Sequence, residues 1–108
     1  MSEIKFDDFK KLEIKIAKIL EVNNHPNADK LYVMKIDLGN EQKQVVAGIK
    51  SCYAPAELVN LPIAVVTNLE PAIIRGVESQ AMLLTAQDEN GISVLTCHRS
   101  VKIGSIIK

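Results

Sequence analysis

The most constraining feature of the chain is a change of phase in its first apolar run. Leu12, Ile14 and Ile16 alternate with Glu13 and Lys15, the pattern of a half-buried strand whose successive side chains point to opposite faces. Ala17 breaks that parity, and Ile19 falls in phase with Ala17 rather than with Ile16. An extra residue near Ala17, forming a bulge, would bend one long strand from one side of a barrel to the other.

The segments that follow supply partners for such a strand. Asn23-Asn24-His25-Pro26-Asn27-Ala28-Asp29 is a cluster of turn formers and reads as the first loop. Leu31–Leu38 and Lys43–Gly48 read as a hairpin around Gly39-Asn40-Glu41, with Tyr32, Met34, Ile36 and Leu38 in phase on one face. Tyr53–Asn60 has Pro near its start and an acid in its first turn, which predicts a short helix. Pro62–Leu69 and Gln80–Ala86 are nearly continuous apolar runs and read as core strands, separated by a long loop. Asn90-Gly91 favours a type I′ hairpin turn into Ile92–Cys97, and Ile103–Ile107 closes the chain. Phe6–Lys11 reads as a helical turn that lids one end. These elements predict an all-β protein: a five-stranded OB-fold Greek-key barrel with a short helix between strands 3 and 4, an N-terminal helical turn and C-terminal extra β segments. One domain over residues 1–108 is expected, because a split would leave pieces too small to bury a core.

Charge and motif content narrow the chemistry. Thirteen basic and thirteen acidic residues cancel, so attraction for nucleic acid must come from a local patch. Residues 1–50 hold nine of the thirteen cations, and the remainder are Arg75, Arg99, Lys102 and Lys108. Catalytic candidates are poor. Cys97 and His98 are sequence neighbours that a regular strand would point to opposite faces, and Cys52 has no His near it in sequence. A zinc site would need Cys52, Cys97, His25 and His98 together, without paired ligand spacing, and no phosphate-cradling glycine motif occurs. The expectation is therefore a non-catalytic protein without cofactor or metal. The start of the chain lacks the basic, apolar pattern of a signal peptide and no run is long enough to span a membrane, so a cytoplasmic location with no membrane partner is expected. The two thiols are then expected to stay unbridged.

Residues Asn68 to Met82, NLEPAIIRGVESQAM, resemble the N-L-x-P-x-x-x-x-G-V-x-S-x-G-M signature of the tRNA-binding domain family, found at the C-terminus of many methionyl-tRNA synthetases and as free-standing dimers. Matching landmarks occur in order at Asp8-Phe9, Leu12–Ile19, His25–Tyr32 and Val46–Ile49, so the resemblance runs from about Phe6 to the C-terminus. It implies tRNA as the partner, a homodimer, and assistance to a methionyl-tRNA synthetase catalytic subunit in trans. It also implies RNA-binding residues: Lys30 near the first loop, and Asn68, Arg75, Ser79, Gln80 and Met82 around the loop between strands 4 and 5. Arg75 is suited to phosphate or base stacking, Asn68, Ser79 and Gln80 to unpaired base edges, and Met82 to a stacking surface. The bland readings are a core role for Met82 and a strand-start role for Ser79. The chain departs from the family in carrying Ala72-Ile73-Ile74 where many relatives have basic residues, and Ala81 where Gly is usual. Those departures support an alternative: a protein-binding, chaperone-like assembly module of the same fold with a weakened tRNA surface.

Overall fold

A computed structural model describes residues 2–108. Two four-residue helices, α1 (Phe6–Phe9) and α2 (Pro55–Leu58), accompany nine strands: β1 (Ile14–Asn24), β2 (Tyr32–Asp37), β3 (Gln42–Ala47), β4 (Pro62–Val66), β5 (Ala72–Ile74), β6 (Val77–Ser79), β7 (Met82–Leu83), β8 (Thr85–Asp88) and β9 (Gly91–Val94). The main sheet runs β3-β2-β1-β4-β7 with antiparallel neighbours, a nearly closed five-stranded barrel of the expected OB type. β5–β6 and β8–β9 are separate hairpins.

Strand β1 organises the barrel, as its length suggests. β4 pairs with it from Ile14 to Lys18 and β2 from Lys18 to Asn24. The bulge lies later than expected. Pairing with β4 is in unbroken register through Ala17, and the shift falls between Ile19 and Glu21 opposite β2, which leaves Leu20 as the extra residue. The change of phase at Ala17 has another cause: β1 is buried on both faces there. Ala17 and Ile19 enter the main core with Met34, Ile36, Val45, Leu58, Ile63 and Val65, whereas Ile14 and Ile16 lie with their ladder partners Val66 and Ala64, buried outside that cluster. Full burial of each large aliphatic core side chain stabilises by about 1.5–3 kcal/mol.

The C-terminus takes the β1 edge that β2 leaves open. Ile16 N–H donates to Ser105 O at 2.9 Å, Gly104 N–H to Ile16 O at 2.7 Å and Ile107 N–H to Ile14 O at 2.8 Å. The expected closing strand at Ile103–Ile107 is thus reduced to a bridge between Lys15 and Ile106 with flanking bonds. Gly104 is required: its φ is +92°, and a Cβ there would sit 2.7 Å from Leu38 O.

Three further expectations shift. The Tyr53–Asn60 helix contracts to α2, which plugs the barrel with fully buried Leu58. The Gln80–Ala86 strand divides at Leu84, because β7 stays with β4 while β8 leaves to pair with β9. The β8–β9 turn is centred on Glu89-Asn90, not on Asn90-Gly91; the only non-glycine residues with positive φ among the described ones are Asn60 and Arg75, so it is not type I′.

Side chains complete the barrel where β3 meets the segment before β7. Gln80 N–H donates to Gln44 O at 2.7 Å, but the next two donors of β3 find side-chain acceptors: Gln44 N–H bonds Gln80 Oε1 at 2.8 Å and Val46 N–H bonds Ser79 Oγ at 3.0 Å. At one end, Thr67 Oγ1 donates to Glu13 Oε1 at 2.7 Å and Lys15 Nζ lies 3.4 Å from the same oxygen. The Thr67 hydrogen bond, then the charge of Lys15, hold the Glu13 carboxyl below its ordinary value of 4.5.

Two outcomes follow. Ser79→Ala leaves the buried Val46 N–H without an acceptor and should destabilise the protein by about 1–3 kcal/mol in urea unfolding; a change below about 0.5 kcal/mol would show that the seam does not depend on this hydroxyl. Because Glu13 titrates lower in the folded state than in the unfolded, its carboxylate supports the fold above pH 4.5 and that support is lost as pH falls through the lowered value. Thermal melts of Glu13→Gln should therefore lie below wild type at pH 7 and converge with it under more acidic conditions; a pH-independent gap would refute this linkage.

Candidate nucleic-acid interface

The loop after β1 and the segment after β4 meet at one end of the barrel. The latter is not the irregular loop the sequence suggests but the β5–β6 hairpin, with Ile74 opposite Val77 across Arg75-Gly76. Both turn residues have positive φ, +52° and +88°, the signature of a type I′ turn. Asn is common at the first of these positions and Arg is not, since a left-handed conformation costs most L-residues about 1–2 kcal/mol. The first loop offsets that strain. Asn27 Nδ2 donates to Arg75 O at 3.1 Å, and the Arg75 guanidinium donates back to Asn27 O at 3.2 Å.

His25 supplies the second tie. Its ring is buried, with Nδ1 accepting Asn27 N–H at 2.9 Å and Nε2 lying 2.9 Å from Ile74 O. A neutral ring protonated on Nε2 satisfies both contacts. In the sequence His25 reads as a turn former, a member of the His25–Tyr32 landmark and part of a poor zinc set, and Asn27 as a turn former; their bonds to the hairpin have no local signal.

This joint brings Lys30 and Arg75 together. Both are exposed and both line an open cleft of about 410 Å³ with Asn27, Ala28, Asp29 and Leu31. Beside the hairpin, a mostly apolar groove of about 200 Å³ is walled by Val46, Leu69, Ala72, Ile74, Ala81 and Met82, with Glu70 and Ser79 as its polar members. Met82 is 46% exposed, so its side chain is a groove wall and not a core residue. Ile73 is 69% exposed at the hairpin, and Ala81 is buried.

The other three expected residues are occupied by the fold. Asn68 accepts Glu13 N–H through Oδ1 at 2.8 Å and donates through Nδ2 to Lys11 O at 2.7 Å, tying the N-terminal segment to the end of β4. Ser79 is buried, accepting from Val46 N–H and donating to Ala81 O at 3.0 Å. Gln80 accepts from Gln44 N–H and donates to Glu78 Oε1 at 3.0 Å. Lys30 and Met82 therefore present exposed side chains, and Arg75 an exposed guanidinium that spends one donor on Asn27 O, while Asn68, Ser79 and Gln80 hold that surface in place. Such a site has cations, donors and an apolar floor; among the described residues there is no group of three His, Cys, Asp or Glu side chains placed to hold a metal ion.

Comparison with known proteins bears on the family and the fold. The model of a family described as putative tRNA binding domain matches residues 14–106. A methionine-tRNA ligase from Pyrococcus horikoshii is 49% identical over 108 residues, all of this chain but 15% of that enzyme. The chain thus spans about 15% of the length of such curated relatives. Among solved structures, a MetRS related protein from Pyrococcus horikoshii superposes with a TM-score of 0.92 at 30% identity, covering 100% of both chains. A CsaA chaperone protein from Picrophilus torridus superposes with a TM-score of 0.92 at 31% identity, covering 98% of this chain and 100% of that one.

The hairpin turn permits a substitution that separates charge from fold. Arg75→Asn keeps a residue that tolerates positive φ and should leave stability within about 1 kcal/mol of wild type, whereas Gly76→Ala should lose about 1–2 kcal/mol. Paired denaturation curves check this; equal losses in both variants would mean that the turn is not held in this conformation.

Proposed function

This chain belongs to the tRNA-binding domain family, and from that premise we propose that it binds tRNA without catalysing a reaction of its own. The observation that carries the reading is the cross-tied pair of loops that sets Lys30 beside Arg75 at the edge of an apolar groove. Two cations on a rigid turn suit phosphate oxygens, and the Arg75 plane also suits stacking on an unpaired base. Met82 and the groove it walls offer a dry surface to a splayed base. In this reading Asn68, Ser79 and Gln80 act on RNA through the frame they hold.

The resemblance to methionine-tRNA ligases supports a role in delivering tRNA to a methionyl-tRNA synthetase catalytic subunit. We further propose that the chain works as a homodimer. The β8–β9 hairpin is surplus to a five-stranded barrel, every residue of β8 is exposed, and α1 buries none of its residues while Phe6 is 70% exposed. Light scattering at micromolar concentration should give twice the chain mass of 11.9 kDa.

A second reading is favoured by one observation: the hairpin displays exposed Ile73 and an apolar groove where cations would strengthen an RNA site. A protein-binding, chaperone-like assembly module would use those same surfaces. A fluorescence titration with bulk tRNA at low and physiological salt, with duplex RNA as competitor, decides between them. Saturable binding that survives physiological salt and is weakened in Arg75→Asn, with about one unit removed from the salt slope, is the expected result. Binding that vanishes with salt, or is indifferent to Arg75, would favour the protein partner. Under the first reading Ala72→Lys with Ile73→Lys should tighten tRNA binding.

A further inference from the structure

The second half of the chain is poor in cations, yet the fold collects the ones it has. Residues 90–108 contain no acidic side chain and carry His98, Arg99, Lys102 and Lys108. The pairing of the C-terminus with β1 lays this segment beside Lys15 and Lys18. One open groove of about 490 Å³ is lined by Lys18, Asn60, His98, Arg99 and Ser100 among others, with no acid on its walls. An adjoining groove of about 420 Å³, also without an acid, shares Ile103 and adds Lys15 and Lys102.

Lys15 spends its charge on Glu13, but the other groove cations have no ion pair with the described residues. Among the described residues the ion pairs are Lys11 with Asp8 and Lys15 with Glu13, so Lys18, Arg99 and Lys102 have no acidic partner within bonding reach. Asp37 stands opposite Lys18 in the ladder and offsets part of its charge, but it does not line either groove, so among the described residues Arg99 and Lys102 are the groove cations left uncompensated. Lys18 is half-buried and reaches this groove from the face of Ile14 and Ile16, opposite that of core residues Ala17 and Ile19. The amide of Asn60 and the hydroxyl of Ser100 add neutral donors between the cations.

We propose that this C-terminal groove is a second contact surface for the sugar-phosphate backbone of the same RNA that the Lys30–Arg75 loops hold. The proposal rests on the tRNA-binding reading. Six residues of β1, the bulged Leu20 among them, separate Lys18 from Asn24 at the base of the first loop, at most about 20 Å at about 3.3 Å per residue. That span is several phosphates of a single strand and comparable to the width of an RNA duplex. A polyanion with regularly spaced charges can engage both surfaces, whereas a single small anion can engage only one. Backbone recognition is also what most of the side chains allow: Arg99, Lys18 and Lys102 offer charged donors to phosphate oxygens, and His98 is the one aromatic ring among the described residues on the walls of either groove.

The test compares full-length wild type, Arg75→Asn, Arg99→Gln/Lys102→Gln, and the charge-keeping Arg99→Lys/Lys102→Arg, each titrated with bulk tRNA between 50 and 200 mM salt. The neutral double variant should weaken binding and flatten the dependence of log affinity on log salt by about 2, and the charge-keeping variant should restore the wild-type slope. Wild-type binding that is sensitive to Arg75, with an unchanged slope in the neutral double variant, overturns the second surface alone. A slope that falls but is not restored when charge is kept also overturns it, because the effect is then structural. Failure of wild type to bind tRNA overturns both this proposal and the reading on which it rests.

Discussion

Every backbone donor and acceptor along β1 needs a partner, and the fold is largely the solution to that requirement. An eleven-residue strand is too long for one neighbour in a small barrel, so its two edges are divided among β4, β2 and the C-terminal segment. Buried polar groups of the main chain are costly when unpaired, which is why the last residues are laid along β1 although they form no regular strand. The division has a functional consequence. β1 delivers the first loop to one end of the barrel and gathers the C-terminal cations at the other, so the same strand positions both electropositive surfaces.

The barrel and its strand order of burial were legible because period-two patterning and apolar runs are local records of burial. Tyr32, Met34, Ile36 and Leu38 are in phase in the sequence and all lie in the core. Ala17 shows the limit of such reasoning. A change of parity signals that the buried face changes, but a bulge and a strand covered on both faces leave the same trace; only the pairing register, with its shift after Ile19, separates them. The two turns show a related limit. Asn90-Gly91 has the composition of a type I′ turn without its conformation, while Arg75-Gly76 has the conformation without the usual composition. Long-range bonds from Asn27 and His25 decide the second case, and no local pattern encodes them.

The site was partly legible for the same reason. The signature from Asn68 to Met82 marks residues of one neighbourhood, but composition cannot tell a hydroxyl offered to a ligand from one spent on the scaffold. Ser79 and Gln80 replace missing ladder bonds where β3 and β7 do not pair fully, and Asn68 fastens the N-terminal segment. A motif can thus be rich in polar residues because the barrel is incompletely closed beside its binding face. The exposed members, Lys30 and Arg75, are left to carry charge, and Met82 to carry apolar contact.

Zero formal net charge bears differently on this arrangement once the positions of the charges are known. At about 0.1 M ionic strength the Debye length is about 10 Å, so a phosphate at the surface responds to its immediate neighbours and hardly to the sum over a molecule 39 Å long. Neutrality removes long-range steering but leaves local capture intact. In the proposed two-surface arrangement, a separation of up to about 20 Å, twice that length, screens the surfaces from one another, and each gains from the other only through the ligand that spans both. Discrimination follows from that physics. A short anion meets one modest patch, whereas a folded polyanion of the right dimensions meets two at once, and the second engagement occurs at the high effective concentration set by the first.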